Sequence, residues 1–141
     1  MSIKIKATAK NRMIDHSLRE SPQECCGVLG GHGGVICTVY PLRNVALTPE
    51  TKYEAAPEDL FQASRLMREK GEDLIGVYHS HPRSEAFPSP TDVQLAFYPD
   101  AVYFIVSLAS DRTIVNAFRI CDGVTSAVEY ETVTEQSAQM L

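Results

Sequence analysis

The chain has 141 residues, of which 44% are hydrophobic and 22% are charged, and its formal net charge is −5. This length and composition predict one globular domain over residues 1–141, while the acidic charge and the lack of any cluster of Lys and Arg argue against nucleic acid or an anionic membrane as a partner. Because the sequence shows neither a signal-peptide pattern nor a run of about 18 apolar residues, we expect a cytoplasmic protein.

The first half of the chain alternates between strand and helix patterns. Alternating Ile and Lys in Ile3–Lys6 predict a strand at the edge of a sheet, and apolar residues at helical spacing predict a helix over residues 8–19. A glycine-rich turn at residues 30–34, between two apolar runs, predicts a hairpin. Pro57 then begins a second helix, which we expect to end near Gly71.

The second half of the chain predicts one buried strand, a short helix and a final run of strands. Residues 74–81 are apolar and β-branched until they reach a polar end, which is typical of a buried strand, and Pro90 begins a short third helix. Three closing strands follow, at residues 102–108, 113–120 and 124–130. The polar residues 131–141 are expected to fray. Strands that interleave with helices early and follow one another late predict an α/β fold, a mixed sheet flanked by helices.

Two histidines flank a serine at the end of the buried strand. Residues two apart in a strand point to the same face, so His79 and His81 present their imidazoles side by side while Ser80 points away. Such a pair is costly to bury without a partner. Downstream, Ser89 and Asp92 form a near capping box at the start of the third helix, which explains them without any function. Directly after a strand with two histidines, however, Asp92 can supply a third ligand to the same ion.

Two imidazoles and one carboxylate predict a catalytic metal site, because they leave a tetrahedral position open for water. The same ligand set also occurs in non-haem iron oxygenases, so ligand type alone does not choose between zinc and iron. A metal hydroxide needs a proton acceptor, and Glu24, beside the apolar run of residues 25–29, is the best candidate in the chain. Taken alone, a glutamate in such a position is usually a solvated strand end.

The order and spacing of these residues resemble the metal-binding motif of the JAMM (MPN plus, Mov34/MPN/PAD-1) zinc metallopeptidases. Glu24 is followed by the His79–His81 unit, then by seven residues, Ser89, two residues and Asp92, which is the spacing of that family. The stretches "ECCGVLGG", "PLRN" and "YEAAPEDL" are similar to its compact bacterial members, so the resemblance extends from about residue 10 to about residue 120. It implies the cytidine deaminase-like JAMM/MPN fold, in agreement with the mixed sheet expected from the element pattern.

The resemblance also implies a chemistry. One Zn2+ per chain would be held by His79, His81 and Asp92, with Glu24 as general acid/base for a metal-bound water that attacks the scissile carbonyl. Ser89 would help to bind the developing oxyanion, although capping its helix competes for the same hydroxyl. The implied substrate is the C-terminal tail of a ubiquitin-like protein, and the lack of long insertions favours a bacterial sulfur-carrier protein. Residues 41–57 are expected to form part of the groove for that tail.

Other functions remain open or are disfavoured by the sequence. The main alternative is a non-catalytic MPN-type interaction scaffold without metal, although relatives of that kind lose motif residues that are all present here. An iron oxygenase would predict a jelly roll and no use for Glu24 or Ser89. A thiol hydrolase built on Cys25 or Cys26 is disfavoured, because an apolar strand beside a glutamate does not activate a thiolate. The sequence lacks the paired motifs of zinc deaminases and the HExxH of helical zinc proteases.

Overall fold

The computed structural model describes residues 2–134. Within that range the chain forms eight strands and three helices, in the order β1 Ile3–Lys6, α1 Ala7–Glu20, β2 Cys26–His32, β3 Val35–Leu42, α2 Pro57–Lys70, β4 Asp73–His81, α3 Pro90–Gln94, β5 Val102–Ser107, β6 Ile114–Cys121, β7 Val124–Val128 and β8 Tyr130–Val133. None of the helices in residues 2–134 is long and apolar enough to cross a membrane.

The strands form one mixed sheet in the order β7-β6-β5-β4-β2-β3-β1-β8. Strand β4, which carries the histidines, lies in the middle, antiparallel to β2 and parallel to β5. Strand β1 is parallel to both of its neighbours, and the remaining pairs are antiparallel. The predicted fold class, a mixed sheet flanked by helices, is confirmed.

Each face of the sheet packs on one long helix. Side chains of β4 and β5 alternate between two hydrophobic clusters, as the two-residue period of a strand requires. One cluster contains Tyr78 and Phe104 and packs against Met13 of α1. The other contains Val77 and packs against Met67 of α2. Because His79 and His81 are two and four residues beyond Val77, they lie on the α2 face.

The three helices form where the sequence predicted them. Helix α2 begins with Pro57 at its first turn and has two acidic residues there, which suit the positive end of the helix dipole. It ends at Gly71, whose φ of 67° is a left-handed conformation that favours glycine. The expected helix over residues 8–19 is α1, and the short helix expected from Pro90 is α3.

Two sequence-based expectations about strands are wrong. Strand β1 is not an edge strand, because it lies between β3 and β8. The frayed tail does not begin at residue 131, because Tyr130–Val133 pair in parallel with Ile3–Lys6. Residues 135–141 of that expected tail lie outside the described residues.

The glycine-rich turn is also shorter than expected. Strand β2 continues through Gly30 and Gly31 to His32, with a bulge at Gly30 and Gly31. Among residues 30–34, only Gly33 and Gly34 have a positive φ. A Cβ on Gly31 would lie 1.9 Å from the carbonyl oxygen of Val35. A glycine is therefore needed at position 31 because two backbone segments approach each other closely inside the hairpin. The turn itself does not require it.

Candidate metal centre and active site

The end of β4 is held in place by Ser80, whose side chain lies on the face opposite the histidines. The Ser80 hydroxyl oxygen accepts a hydrogen bond of 2.8 Å from the Cys25 backbone N–H, and the Ser80 N–H donates one of 3.1 Å to the Cys25 carbonyl. These two bonds join the end of β4 to the residue before β2. The prediction that Ser80 braces the strand end is confirmed.

The two histidines and the aspartate come together on the α2 face. The Nε2 atoms of His79 and His81 are 3.0 Å apart, and the Oδ2 atom of Asp92 lies 3.1 Å from the first and 3.0 Å from the second. All three side chains are less than a tenth exposed. One small ion between them would contact all three atoms.

Asp92 reaches this cluster while it also caps α3. Its Oδ2 atom accepts a 2.9 Å hydrogen bond from the Ser89 N–H, and the Asp92 N–H donates one of 3.1 Å to the Ser89 hydroxyl oxygen. Capping of α3 and a role of Asp92 as a ligand are therefore compatible, because one side chain can do both. The competition expected for the Ser89 hydroxyl is absent, because the cap uses only a lone pair and leaves the O–H proton to donate.

Each imidazole ring also has a contact outside the cluster that orients it. The Nδ1 atom of His81 lies 2.8 Å from the Glu85 carbonyl oxygen, which can only accept, so Nδ1 carries the proton and in the neutral ring Nε2 offers its lone pair to the cluster. The His79 ring stacks on Tyr53 with 4.5 Å between ring centroids. Its own Nδ1 atom is buried, with no hydrogen-bond partner among the residues that the structure describes.

The chemistry of this donor set fits a divalent cation. A single proton can lie between only two of the three atoms, whereas a cation contacts all of them at once. Burial lowers the pKa of His79 and so favours the neutral form that binds metals. Burial alone would raise the pKa of Asp92, but hydrogen bonds from His79 and His81 outweigh it and hold that pKa well below its usual range. A neutral imidazole and an ionised carboxylate are the forms that ligate zinc.

Glu24 is buried in the same site. Its Oε1 atom has no hydrogen-bond partner within residues 2–134. Burial raises the pKa of the Glu24 carboxyl to about 7, while the charge of His81 acts to lower it and that of Asp92 to raise it. A carboxyl that titrates near neutral pH suits a general acid/base.

Asn44 holds Glu24 in this position, a role that sequence reasoning did not assign. Its side-chain amide donates to the carbonyls of Glu24 and Lys52, each at 2.9 Å, and its side-chain oxygen accepts from Ala46 N–H and Glu54 N–H, each at 3.0 Å. In the sequence, Asn44 shows only as the last residue of the "PLRN" stretch. Tyr53, whose ring stacks on His79, was missed as well, because this contact joins segments far apart in the chain.

An apolar cavity of about 270 Å3 adjoins the cluster on the α2 face. Tyr53, the stacking partner of His79, forms part of its wall, together with Leu42 and Leu60. Leu95 and Phe97, which follow α3, complete the opening and are exposed. The expected groove over residues 41–57 thus contributes Leu42 and residues 53–55 to this wall.

The two adjacent cysteines do not form a nucleophilic site. Both are buried. Burial raises the pKa of the Cys25 thiol, and it raises the pKa of the Cys26 thiol to about 12. Cys25 lies 3.4 Å from the Ser17 hydroxyl on the α1 side of the sheet. Thiols that stay protonated at neutral pH are not activated nucleophiles.

Comparison with known proteins gives consistent matches. Residues 6–121 match the family model described as prokaryotic homologs of the JAB domain. The chain is 34% identical to the desampylase of Haloferax volcanii over 111 residues, which is 74% of this chain and 80% of that protein. It is 36% identical to the CysO-cysteine peptidase of Mycobacterium tuberculosis over 127 residues, which is 86% of this chain and 85% of that protein.

Solved structures share the fold. A protein from Desulfitobacterium hafniense, 30% identical, superimposes with a TM-score of 0.83 over 96% of this chain and 97% of its own. A JAB1/MPN domain protein from Archaeoglobus fulgidus, 20% identical, gives a TM-score of 0.66 over 94% of this chain and 98% of its own. The second match confirms the expected JAB1/MPN fold.

Proposed function

The chain belongs to the prokaryotic homologues of the JAB domain, and on that premise we propose that it is a zinc-dependent peptidase that cleaves after the C-terminal tail of a ubiquitin-like sulfur-carrier protein. Membership of this family and the similarity to named peptidases make it an enzyme of the peptidase class. A metal-free interaction scaffold would have no need for the complete set of ligands. The cysteines of this chain are free thiols, as expected in the reducing cytoplasm that the sequence predicts.

One observation carries the proposal. Three ligand atoms lie within 3.1 Å of one another beside a buried carboxyl group that titrates near neutral pH. A zinc ion held there would polarise the scissile carbonyl and acidify a water molecule. The residues of the chain supply the other parts of the reaction.

We propose that His79, His81 and Asp92 are the metal ligands, as the sequence motif implies. Glu24 takes a proton from the attacking water and later returns one to the leaving amine, which a carboxyl of pKa about 7 can do at neutral pH. Ser89 donates its hydroxyl proton to the oxygen that gains charge as the tetrahedral intermediate forms. Its capping contact orients the hydroxyl without using that proton.

The substrate is an extended tail that reaches the cluster along residues 41–57. An extended peptide binds through backbone hydrogen bonds and a few side-chain pockets, and the apolar cavity beside Tyr53 is suited to one apolar side chain of the tail. Val45 and Leu47 in this loop are exposed. We propose that the tail of the carrier protein packs on them.

The proposal is tested with carrier proteins extended by a few residues beyond their terminal Gly-Gly. We expect mass spectrometry to detect trimming back to Gly-Gly by the zinc-loaded protein and none after chelation of the metal. Glu24→Gln should retain zinc but lose trimming, while His79→Ala should lose both. A chain that binds no zinc, or trimming that continues in Glu24→Gln, would refute the proposed mechanism.

A further inference from the structure

The segment between β4 and α3 is held by hydrogen bonds to three consecutive carbonyl groups. We refer to residues 84–86 as the carbonyl bridge. The Ser107 hydroxyl of β5 donates to the Ser84 carbonyl at 2.6 Å, and the Asn116 amide of β6 donates to the Ala86 carbonyl at 3.2 Å. Between them, the Glu85 carbonyl oxygen lies 2.8 Å from Nδ1 of His81. Three neighbouring strands therefore fix three successive peptide groups.

The carbonyl bridge has no regular secondary structure to define its position. The chain leaves β4 at His81 and enters α3 only at Pro90, without a strand partner in between. The Phe87 N–H donates to the Glu85 carbonyl at 2.8 Å within the segment. Ala86 is buried in the core on the α2 face, and the Phe87 ring lies edge-on to Phe118 of β6. The bonds from β5 and β6 are the directional contacts that fix the orientation of the peptide groups of this segment.

From this geometry we infer that Ser107 and Asn116 are positioning residues for the metal site. By holding the carbonyl bridge, they keep the Glu85 carbonyl where it accepts the Nδ1 proton of His81, which leaves Nε2 directed at His79 and Asp92. The inference rests on the proposed metal ligands but not on the identity of the substrate. A group that bonds the second nitrogen of a ligating histidine typically contributes 10- to 100-fold to metal affinity. Here that group is the Glu85 carbonyl, which Ser107 and Asn116 hold through its two neighbours.

The two residues should not contribute equally. Ser107 is buried and its bond is short, whereas Asn116 is exposed and its bond is longer. A buried hydrogen bond has no water to replace it when its donor is removed. We therefore expect the loss of the Ser107 hydroxyl to displace the carbonyl bridge more than the loss of the Asn116 amide.

The test measures zinc affinity of the full chain by competition with a chelating dye. We expect Ser107→Ala to weaken zinc binding by about 10- to 100-fold and Asn116→Asp, which places an acceptor against the Ala86 carbonyl, by a smaller factor of up to about 10. Ser107→Thr keeps the hydroxyl and should restore most of the affinity. Tyr130→Phe is the matched control, because it removes a hydroxyl bond to the carbonyl of Val115, next to Asn116, without touching the carbonyl bridge.

A second measurement does not depend on the variants. Two-dimensional 15N NMR of the imidazole rings should place the His81 proton on Nδ1 in the zinc-loaded wild type. Wild-type zinc affinity in Ser107→Ala or an equal loss in Tyr130→Phe would overturn the inference and leave the proposed peptidase standing. A His81 proton on Nε2 would remove that atom as a zinc ligand and would overturn the proposed metal site as well. A wild type that binds no zinc would overturn the metal site and this inference together.

Discussion

Replacing Glu24 by glutamine should have opposite effects on catalysis and on stability above neutral pH. The wild-type carboxyl is buried, its Oε1 atom has no hydrogen-bond partner in the described part of the chain, and its pKa is raised from 4.5 to about 7, chiefly by burial. A raised pKa means that the folded state binds more protons than the unfolded state between these two values. The contribution of Glu24 to stability is therefore fully present below pH 4.5 and is lost as the pH rises through 7.

The size of this loss follows from the two pKa values. A shift of one unit corresponds to 1.36 kcal/mol, so ionisation of Glu24 lowers the free energy of unfolding by about 2.5 kcal/mol between pH 5 and pH 8. Glutamine has nearly the same shape and does not ionise. We therefore expect the free energy of unfolding of Glu24→Gln, relative to that of the wild type, to increase by about 2.5 kcal/mol from pH 5 to pH 8.

Urea denaturation of the metal-free proteins at pH 5 and pH 8 measures this difference. Any constant cost of burying the amide cancels, because the variant is compared with wild type at both pH values. The same variant should lose about 100- to 10,000-fold in kcat while it retains zinc. A difference between variant and wild type that is equal at both pH values would show that Glu24 is not a buried, ionisable carboxyl and would refute this reasoning.

Three further substitutions probe other parts of the site and its support. Ser89→Ala should lower kcat by about 100- to 1000-fold with zinc retained, as measured by steady-state kinetics and metal analysis. Asn44→Asp removes the donor to the Glu24 carbonyl, so kcat should fall while zinc affinity stays at the wild-type value in the dye competition. Burial lowers the pKa of His16, whose Nδ1 lies 2.8 Å from the Tyr78 hydroxyl, so the contribution of His16 to stability is lost as the pH falls below 6.5. In pH-dependent urea denaturation, the free energy of unfolding of His16→Gln should therefore rise relative to that of the wild type over this range.

The features that the sequence predicted correctly depend on neighbouring residues. The two-residue period of β4 was enough to place His79 and His81 on one face and Ser80 on the other. The spacing of Ser89 and Asp92 predicted the cap of α3 for the same reason, since a capping box is formed within one helical turn. Such local geometry is independent of the rest of the fold.

The features that sequence reasoning missed depend on contacts between distant segments. Strand β8 pairs with β1 from the other end of the chain, and the short sequence of residues 130–133 does not indicate which strand is its partner. The burial of Glu24 has the same origin, because the Pro49 carbonyl and the Asn44 side chain bind its backbone from a loop about 20 residues away in the sequence. A glutamate beside a strand is read as solvated unless that loop is known to cover it.

Asp92 shows why a structural explanation and a functional one need not compete. Helix α3 has only five residues, too few to be stable alone, so its cap largely determines where it begins. The cap includes the bond from the Ser89 N–H to Oδ2, the same oxygen that faces the two histidines. The cap therefore directs the carboxylate oxygen that we propose as a metal ligand toward the two histidines. Because this bond comes from the backbone, Ser89→Ala leaves it in place, and this is the physical reason to expect that variant to lose turnover and keep its zinc.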